Sequence, residues 1–129
     1  MTTSLNLSPL ANRVLAFGLT TVLAVVISLL TLLPNTSAPS PVGVDKVYHF
    51  IAFAGLMLPV ATLRPQALVW MIPAALLFGA GIEIIQPFVN RSRDFADFLA
   101  DGVGVLAGSA LGLAVFLLWA RAKASGTIS

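Results

Sequence analysis

Cysteine is absent from the sequence, and histidine occurs only once, as His49. The absence of cysteine excludes disulfides, thiol catalysis and thiolate metal ligands. A single histidine also argues against a metal centre built from several histidines. We therefore expect neither a metal ion nor a cofactor.

Charged residues are scarce, at 9% of the chain against roughly 25% in a typical soluble domain. Hydrophobic residues make up 58% of the 129 residues, and the mean hydropathy is +0.99. This composition excludes a soluble domain and indicates an integral membrane protein in contact with membrane lipids. The seven basic residues form no cluster, so we expect no nucleic-acid partner.

Four apolar segments are candidates for crossing a bilayer, which takes about 20 residues each. The predicted spans cover residues 14–33, 47–63, 67–89 and 97–119. They predict an all-α fold, a single domain that forms an integral membrane bundle of four transmembrane helices. Because only Pro65 and Gln66 separate the second and third spans, these two are expected to form a tight antiparallel hairpin.

The first span has a rival interpretation as a signal peptide, because Thr36-Ser37-Ala38 resembles a cleavage site for signal peptidase. Its apolar run of about 20 residues, however, exceeds the usual core of about 7–15 residues. We therefore predict that the span is retained.

Basic residues in short loops favour the cytoplasm and decide the predicted orientation. One side of the membrane receives Arg13, Arg64, Arg121 and Lys123. The other side receives Lys46, Arg91 and Arg93. The larger group predicts that the protein lies in the plasma (inner) membrane with both termini in the cytoplasm. The sequence leaves open whether the protein forms a homo-oligomer.

Four of the five acids lie in one segment, residues 79–112. Ionisable groups in a membrane are expensive to desolvate and mark functional sites. The topology also brings the start of span two, the end of span three and the start of span four to one membrane face. The candidate catalytic residues there are His49, Glu83 and Asp97. The candidate ligand-binding residues are Lys46, Gln86, Arg91, Arg93 and Asp101.

Each candidate also has a structural interpretation. His49 could be a hydrogen-bonding residue near the membrane interface rather than a catalyst. A buried Glu83 needs a partner, because an unpaired buried carboxylate becomes neutral. We expect that partner to be basic, one of Arg93, Arg91 or Lys46.

Small residues mark the helix faces on which packing is expected. Gly104, Gly108 and Gly112 repeat every four residues on the face that carries the acids of span four, and Gly79 lies on a similar stripe of span three. Such small-xxx-small patterns allow helix backbones to approach closely in lipid. We therefore expect the two stripes to contact each other and to join spans three and four.

These motifs together resemble the VanZ-like membrane proteins. The resemblance covers residues 45 to 112 and rests on three motifs, Asp45-Lys46-x-x-His49-Phe50, Glu83-x-x-Gln86 and Arg93-x-x-x-Asp97, the last continuing through Asp101, Gly104 and Gly108. Asp101 departs from the family pattern, which more often has asparagine. The resemblance implies a bacterial plasma-membrane protein whose founding member is associated with low-level teicoplanin resistance, and it supplies no reaction.

The leading hypothesis is an envelope protein whose outward-facing polar pocket binds, and in a catalytic version modifies, a lipid-linked cell-wall precursor or a lipoglycopeptide. Arg91, Arg93 and Lys46 would bind phosphate or carboxylate. In the catalytic version His49 or Glu83 would act as a general base. Two alternatives stay open, a small proton-coupled exporter and a non-catalytic accessory or assembly protein.

Overall fold

The computed structural model describes residues 7–34 and 41–127. The four α-helices are α1 (Pro9–Leu32), α2 (Val44–Leu63), α3 (Leu68–Ile85) and α4 (Phe95–Ala124). Two short 3-10 turns, Pro65–Ala67 and Gln86–Val89, flank α3. The described ranges contain no strand, so the all-α prediction is confirmed.

Each helix is long and apolar enough to cross a membrane, with α3 counted together with its flanking turns as Pro65–Val89. The proposed cleavage site at Thr36-Ser37-Ala38 lies outside the described residues.

Local sequence signals place the ends of the helices. At the start of α1, the amide of Ala11 donates to Ser8 Oγ at 3.1 Å, and proline occupies the first helical position. At the start of α4, the amide of Ala96 donates to Asp94 Oδ1 at 2.9 Å. Asn90 adopts a left-handed conformation at φ 60° and ends the turn after α3. This turn brings Asp94 back beside the end of α3.

The closest helix packing joins α2 and α4, which run parallel. A Cβ built on Gly104 would lie 2.5 Å from the carbonyl oxygen of Phe50, and one built on Gly108 would lie 2.7 Å from Ala54 Cα. Gly112 packs in the same way against Ala61. Each glycine therefore lets the backbone of α4 approach α2 more closely than any side chain would allow.

The expected contact between the glycine stripe of α4 and the third span is therefore wrong. The stripe faces α2, where Ala54 and Ala61 offer equally small surfaces. Gly79 of α3 does contact α4, but it meets a carboxylate rather than a glycine: its Cβ would lie 2.9 Å from Asp101 Oδ2. The four-residue spacing of the glycines correctly predicted that one face of α4 packs closely against another helix. The helix that packs there is α2, because its small residues lie at the same level as the glycines.

The interior between the helices is apolar in its middle. Phe53, Met57 and Val60 of α2 and Val105 of α4 are fully buried. Helix α1 packs on α2, where the Thr20 hydroxyl donates to the carbonyl oxygen of Leu56 at 3.5 Å. Most large apolar side chains of α1 are exposed, which is expected of a helix that faces lipid.

Candidate functional site

A buried polar cluster lies where the start of α2, the end of α3 and the start of α4 meet. Its members are His49, Glu83, Gln86, Asp97 and Asp101, and none of them is more than 8% exposed. The structure therefore brings together all three residues predicted to be catalytic and two of those predicted to bind a ligand. The site lies near one end of the bundle.

His49 is held by a carboxylate at the centre of the cluster. Its Nδ1 lies 2.8 Å from Oδ1 of Asp101, which is completely buried. Its Nε2 lies 3.8 Å from Asp97 Oδ2, beyond hydrogen-bond distance. A histidine that donates from Nδ1 to a carboxylate presents Nε2 with a free lone pair when the ring is neutral. Asp101 therefore orients the ring and leaves Nε2 available.

Glu83 is held by neutral donors. Its Oε2 accepts from the amide of Asp94 at 3.1 Å. With the amide nitrogen of Gln86 turned toward it, the orientation that satisfies both groups, Gln86 donates to the two carboxylate oxygens at 3.3 and 3.2 Å. Together these donors partly replace the water lost on burial.

The prediction that the Glu83 carboxylate pairs with a basic side chain is wrong. Within residues 7–34 and 41–127, no lysine or arginine forms an ion pair with its carboxylate. Arg93 reaches the same residue, but its Nε donates to the main-chain oxygen of Glu83 at 3.2 Å. The turn after α3 returns the main chain to Glu83, so an amide takes the place predicted for a guanidinium.

Arg91 and Lys46, the other two expected partners, bind elsewhere. Arg91 Nη1 donates to the carbonyl oxygens of Leu30 and Leu33 at 3.4 and 3.1 Å. It thereby satisfies two main-chain acceptors at the end of α1, which lack partners within the helix. Lys46 Nζ donates to Asp94 Oδ2 at 2.8 Å and to Asp97 Oδ1 at 3.4 Å.

Asp94 is the residue that the sequence-based site missed. Its side chain caps α4 and pairs with Lys46, while its main-chain amide binds Glu83. The hydrogen bond from Lys46 lowers the pKa of Asp94 below its ordinary value. The available signal was its position directly before α4, where aspartate is a preferred cap.

The comparisons with known proteins agree with the resemblance seen in the motifs. The chain matches the family model of VanZ/LLP1 over residues 1–119. The chain belongs to the VanZ/LLP1 family. No curated protein and no solved structure matches the chain significantly.

Family membership and four membrane-crossing helices together make this VanZ/LLP1 chain a multi-pass membrane protein. The match includes the first span as well as the motifs between residues 45 and 112. It assigns no substrate or reaction to the buried cluster.

A cleft of about 690 Å³ opens beside the cluster in this VanZ/LLP1 protein. Its apolar lining includes Ile27, Leu30, Ile51, Ala52 and Phe53. Its polar lining includes His49, Gln86, Asp97 and Arg91. The cleft therefore joins an apolar wall, contributed by α1 and α2, to a charged floor.

Proposed function

We propose that this VanZ/LLP1 protein is a bacterial envelope protein that binds an amphiphile in the cleft. The single observation that carries the proposal is the continuity of an apolar wall with a buried polar cluster in one cleft of about 690 Å³. A ligand that is apolar at one end and polar at the other matches this lining, because ligand sites combine apolar walls with a few placed polar groups.

The tail of the amphiphile would lie along α1 and α2. Ile27 and Leu30 of α1 line the cleft together with Ile51 and Ala52 of α2. Leu30 and Ile51 are exposed at 67% and 59%. These side chains provide an acyl or prenyl chain with contacts similar to those of the surrounding lipid.

The headgroup would lie on the charged floor and carry phosphate or carboxylate. Arg91 lines the cleft and has donors beyond the Nη1 that binds α1. A guanidinium binds such anions with two parallel hydrogen bonds. Lys46 is a less suitable ligand for an anion because it already pairs with Asp94 and Asp97. A lipid-linked cell-wall precursor or a lipoglycopeptide has this chemistry.

The predicted orientation would open the cleft toward the outer leaflet, where cell-wall precursors are used. A proton-coupled exporter is less well supported, because the buried ionisable residues His49, Glu83, Asp97 and Asp101 gather near one end of the bundle. Transporter sites lie near the middle of the bilayer.

Native mass spectrometry of the purified protein in detergent tests the proposal. We expect a co-purified envelope lipid on the wild-type protein. Ala52→Trp should remove it by filling the cleft, whereas Ala74→Trp, on the exposed face of α3 and outside the cleft lining, should retain it. Gel filtration checks that both variants are folded. Absence of lipid from the wild type, or equal retention by both variants, would contradict the proposal and favour an accessory protein.

A further inference from the structure

Three buried side chains from three different helices converge within the cluster. His49, Glu83 and Asp97 each offer one potential ligand atom, and these atoms all lie within 4.8 Å of one another. A first-row divalent cation lies about 2.0–2.2 Å from its nitrogen and oxygen ligands, so two ligands of one ion can be up to about 4.4 Å apart. Three atoms that are at most 4.8 Å apart all lie within about 2.8 Å of a common point, so inward shifts of about 0.6–0.8 Å would let all three contact one ion.

The orientation of His49 matches that of a metal ligand. Histidines that bind metals almost always donate from the other ring nitrogen to a carboxylate, a carbonyl or water. In this protein that carboxylate is Asp101, at 2.8 Å from Nδ1. The free Nε2 points toward Asp97 and has no hydrogen-bond partner among residues 7–34 and 41–127. A neutral imidazole in this orientation has its Nε2 lone pair available to a cation.

The number of acidic side chains in the cluster also favours a bound cation. Glu83, Asp97 and Asp101 are three buried carboxylates around one imidazole. Lys46 pairs with Asp97 and also with the half-exposed Asp94. Within the described residues, no other lysine or arginine pairs with any of the three buried carboxylates. Buried charges in proteins are paired or coordinate metals. A divalent cation would pair with these carboxylates in their ionised form, whereas an unpaired buried carboxylate becomes neutral.

We infer that His49, Glu83 and Asp97 bind one divalent transition-metal cation, with Asp101 as the residue that orients the imidazole. One nitrogen and two carboxylate oxygens suit Zn²⁺ or Mn²⁺ better than Ca²⁺ or Mg²⁺, which favour oxygen ligands alone. The absence of cysteine and of further histidines does not oppose such a mixed site. The inference does not depend on whether the cleft binds an amphiphile.

The site has a side open to the cleft. Both His49 and Asp97 line the cleft. Catalytic zinc sites have three protein ligands and keep the remaining position for water or substrate. A metal held here would therefore have a position available for water or for an anionic headgroup.

The test is equilibrium dialysis of the purified protein against Zn²⁺, and separately against Mn²⁺, with the bound metal measured by mass spectrometry. We expect one equivalent of at least one of these metals on the wild type. His49→Gln, Glu83→Gln and Asp97→Asn should each reduce affinity at least 100-fold. Asp101→Asn should weaken binding about 10–100-fold, as expected for an outer partner. Asp45→Asn removes a nearby acid outside the ligand set and should leave the stoichiometry and affinity unchanged.

Thermal unfolding of the wild type provides a measurement that needs no variant. The metal that binds should raise the unfolding temperature, because it stabilises the folded state by mass action. Failure of both Zn²⁺ and Mn²⁺ to bind the wild type at one equivalent would overturn the inference. So would full binding by the folded Glu83→Gln/Asp97→Asn double variant, because the metal would then be held elsewhere. Absence of a co-purified lipid from a wild-type protein that binds the metal would refute the amphiphile proposal alone.

Discussion

At the scale of single residues, the unusual feature is a buried glutamate held by a main-chain amide and a side-chain amide. Arg93 binds the main-chain oxygen of Glu83 and not its carboxylate. The two side chains should therefore contribute to stability independently. In a double-mutant cycle with Glu83→Gln and Arg93→Gln, we expect a coupling energy below about 0.5 kcal/mol. Thermal unfolding in detergent measures it, and a coupling of about 3 kcal/mol would instead indicate a buried ion pair.

Gly79 provides a second test at this scale, since it leaves room for Asp101. A Cβ at position 79 would lie 2.9 Å from Asp101 Oδ2, so Gly79→Ala must displace a carboxylate that is completely buried. We expect a loss of about 1–3 kcal/mol, typical of overpacking. Gly81→Ala is the matched control on the same helix, because its Cβ would meet nothing within 4 Å. Equal unfolding temperatures for the two variants would contradict this packing.

The ion pair between Lys46 and Asp94 should make stability depend on acid pH. The pKa of Asp94 is lowered in the folded protein by the hydrogen bond from Lys46. The stabilising contribution is therefore present above the unfolded value of 3.8 and is lost as the pH falls through the lower folded value. Asp94→Asn should lower the unfolding temperature at pH 7, and the difference from wild type should shrink below pH 3.8. A difference that stays constant down to pH 3 would show that the pair contributes nothing.

At the scale of helices, the glycines of α4 determine how closely α2 and α4 pack. Gly108→Ala would place a Cβ 2.7 Å from Ala54 Cα, where only a backbone shift can relieve the clash. We expect it to destabilise the protein by about 1–3 kcal/mol. Gly102→Ala, on the same helix, would meet its nearest atom at 3.7 Å and should be neutral or stabilising. Thermal unfolding in detergent compares them, and the stripe is not an interface if Gly108→Ala is as stable as Gly102→Ala.

At the scale of the whole molecule, the orientation in the membrane decides which side the cleft faces. We predict that reporter fusions after Gly43 and after Ser92 behave as extracytoplasmic and that a fusion after Arg64 behaves as cytoplasmic. This follows from the larger number of basic residues on the side of the termini. The reverse pattern would place the cleft in the cytoplasmic leaflet, and a mature N-terminus near Pro39 would contradict the retained first span.

The four apolar helices can be predicted from the amino-acid sequence alone, because a bilayer accepts only segments of sufficient length and hydrophobicity. The sequence also predicts that His49, Glu83 and Asp97 lie near one end of the bundle, since alternating spans joined by short connections leave no other arrangement. The family followed from the order and spacing of the same residues.

The contacts between side chains of different helices could not be predicted from the sequence and depend on the fold. Helical periodicity gives the face on which Gly108 lies, but the partner depends on the rotation and register of neighbouring helices, and these set α2 rather than α3 against it. The donors to Glu83 could not be read from residue types, because one of them is a main-chain amide positioned by the turn at Asn90. The contact between Asp101 and His49 could not be predicted either, because it requires the parallel helices α2 and α4 to lie close enough for a distance of 2.8 Å between the two side chains.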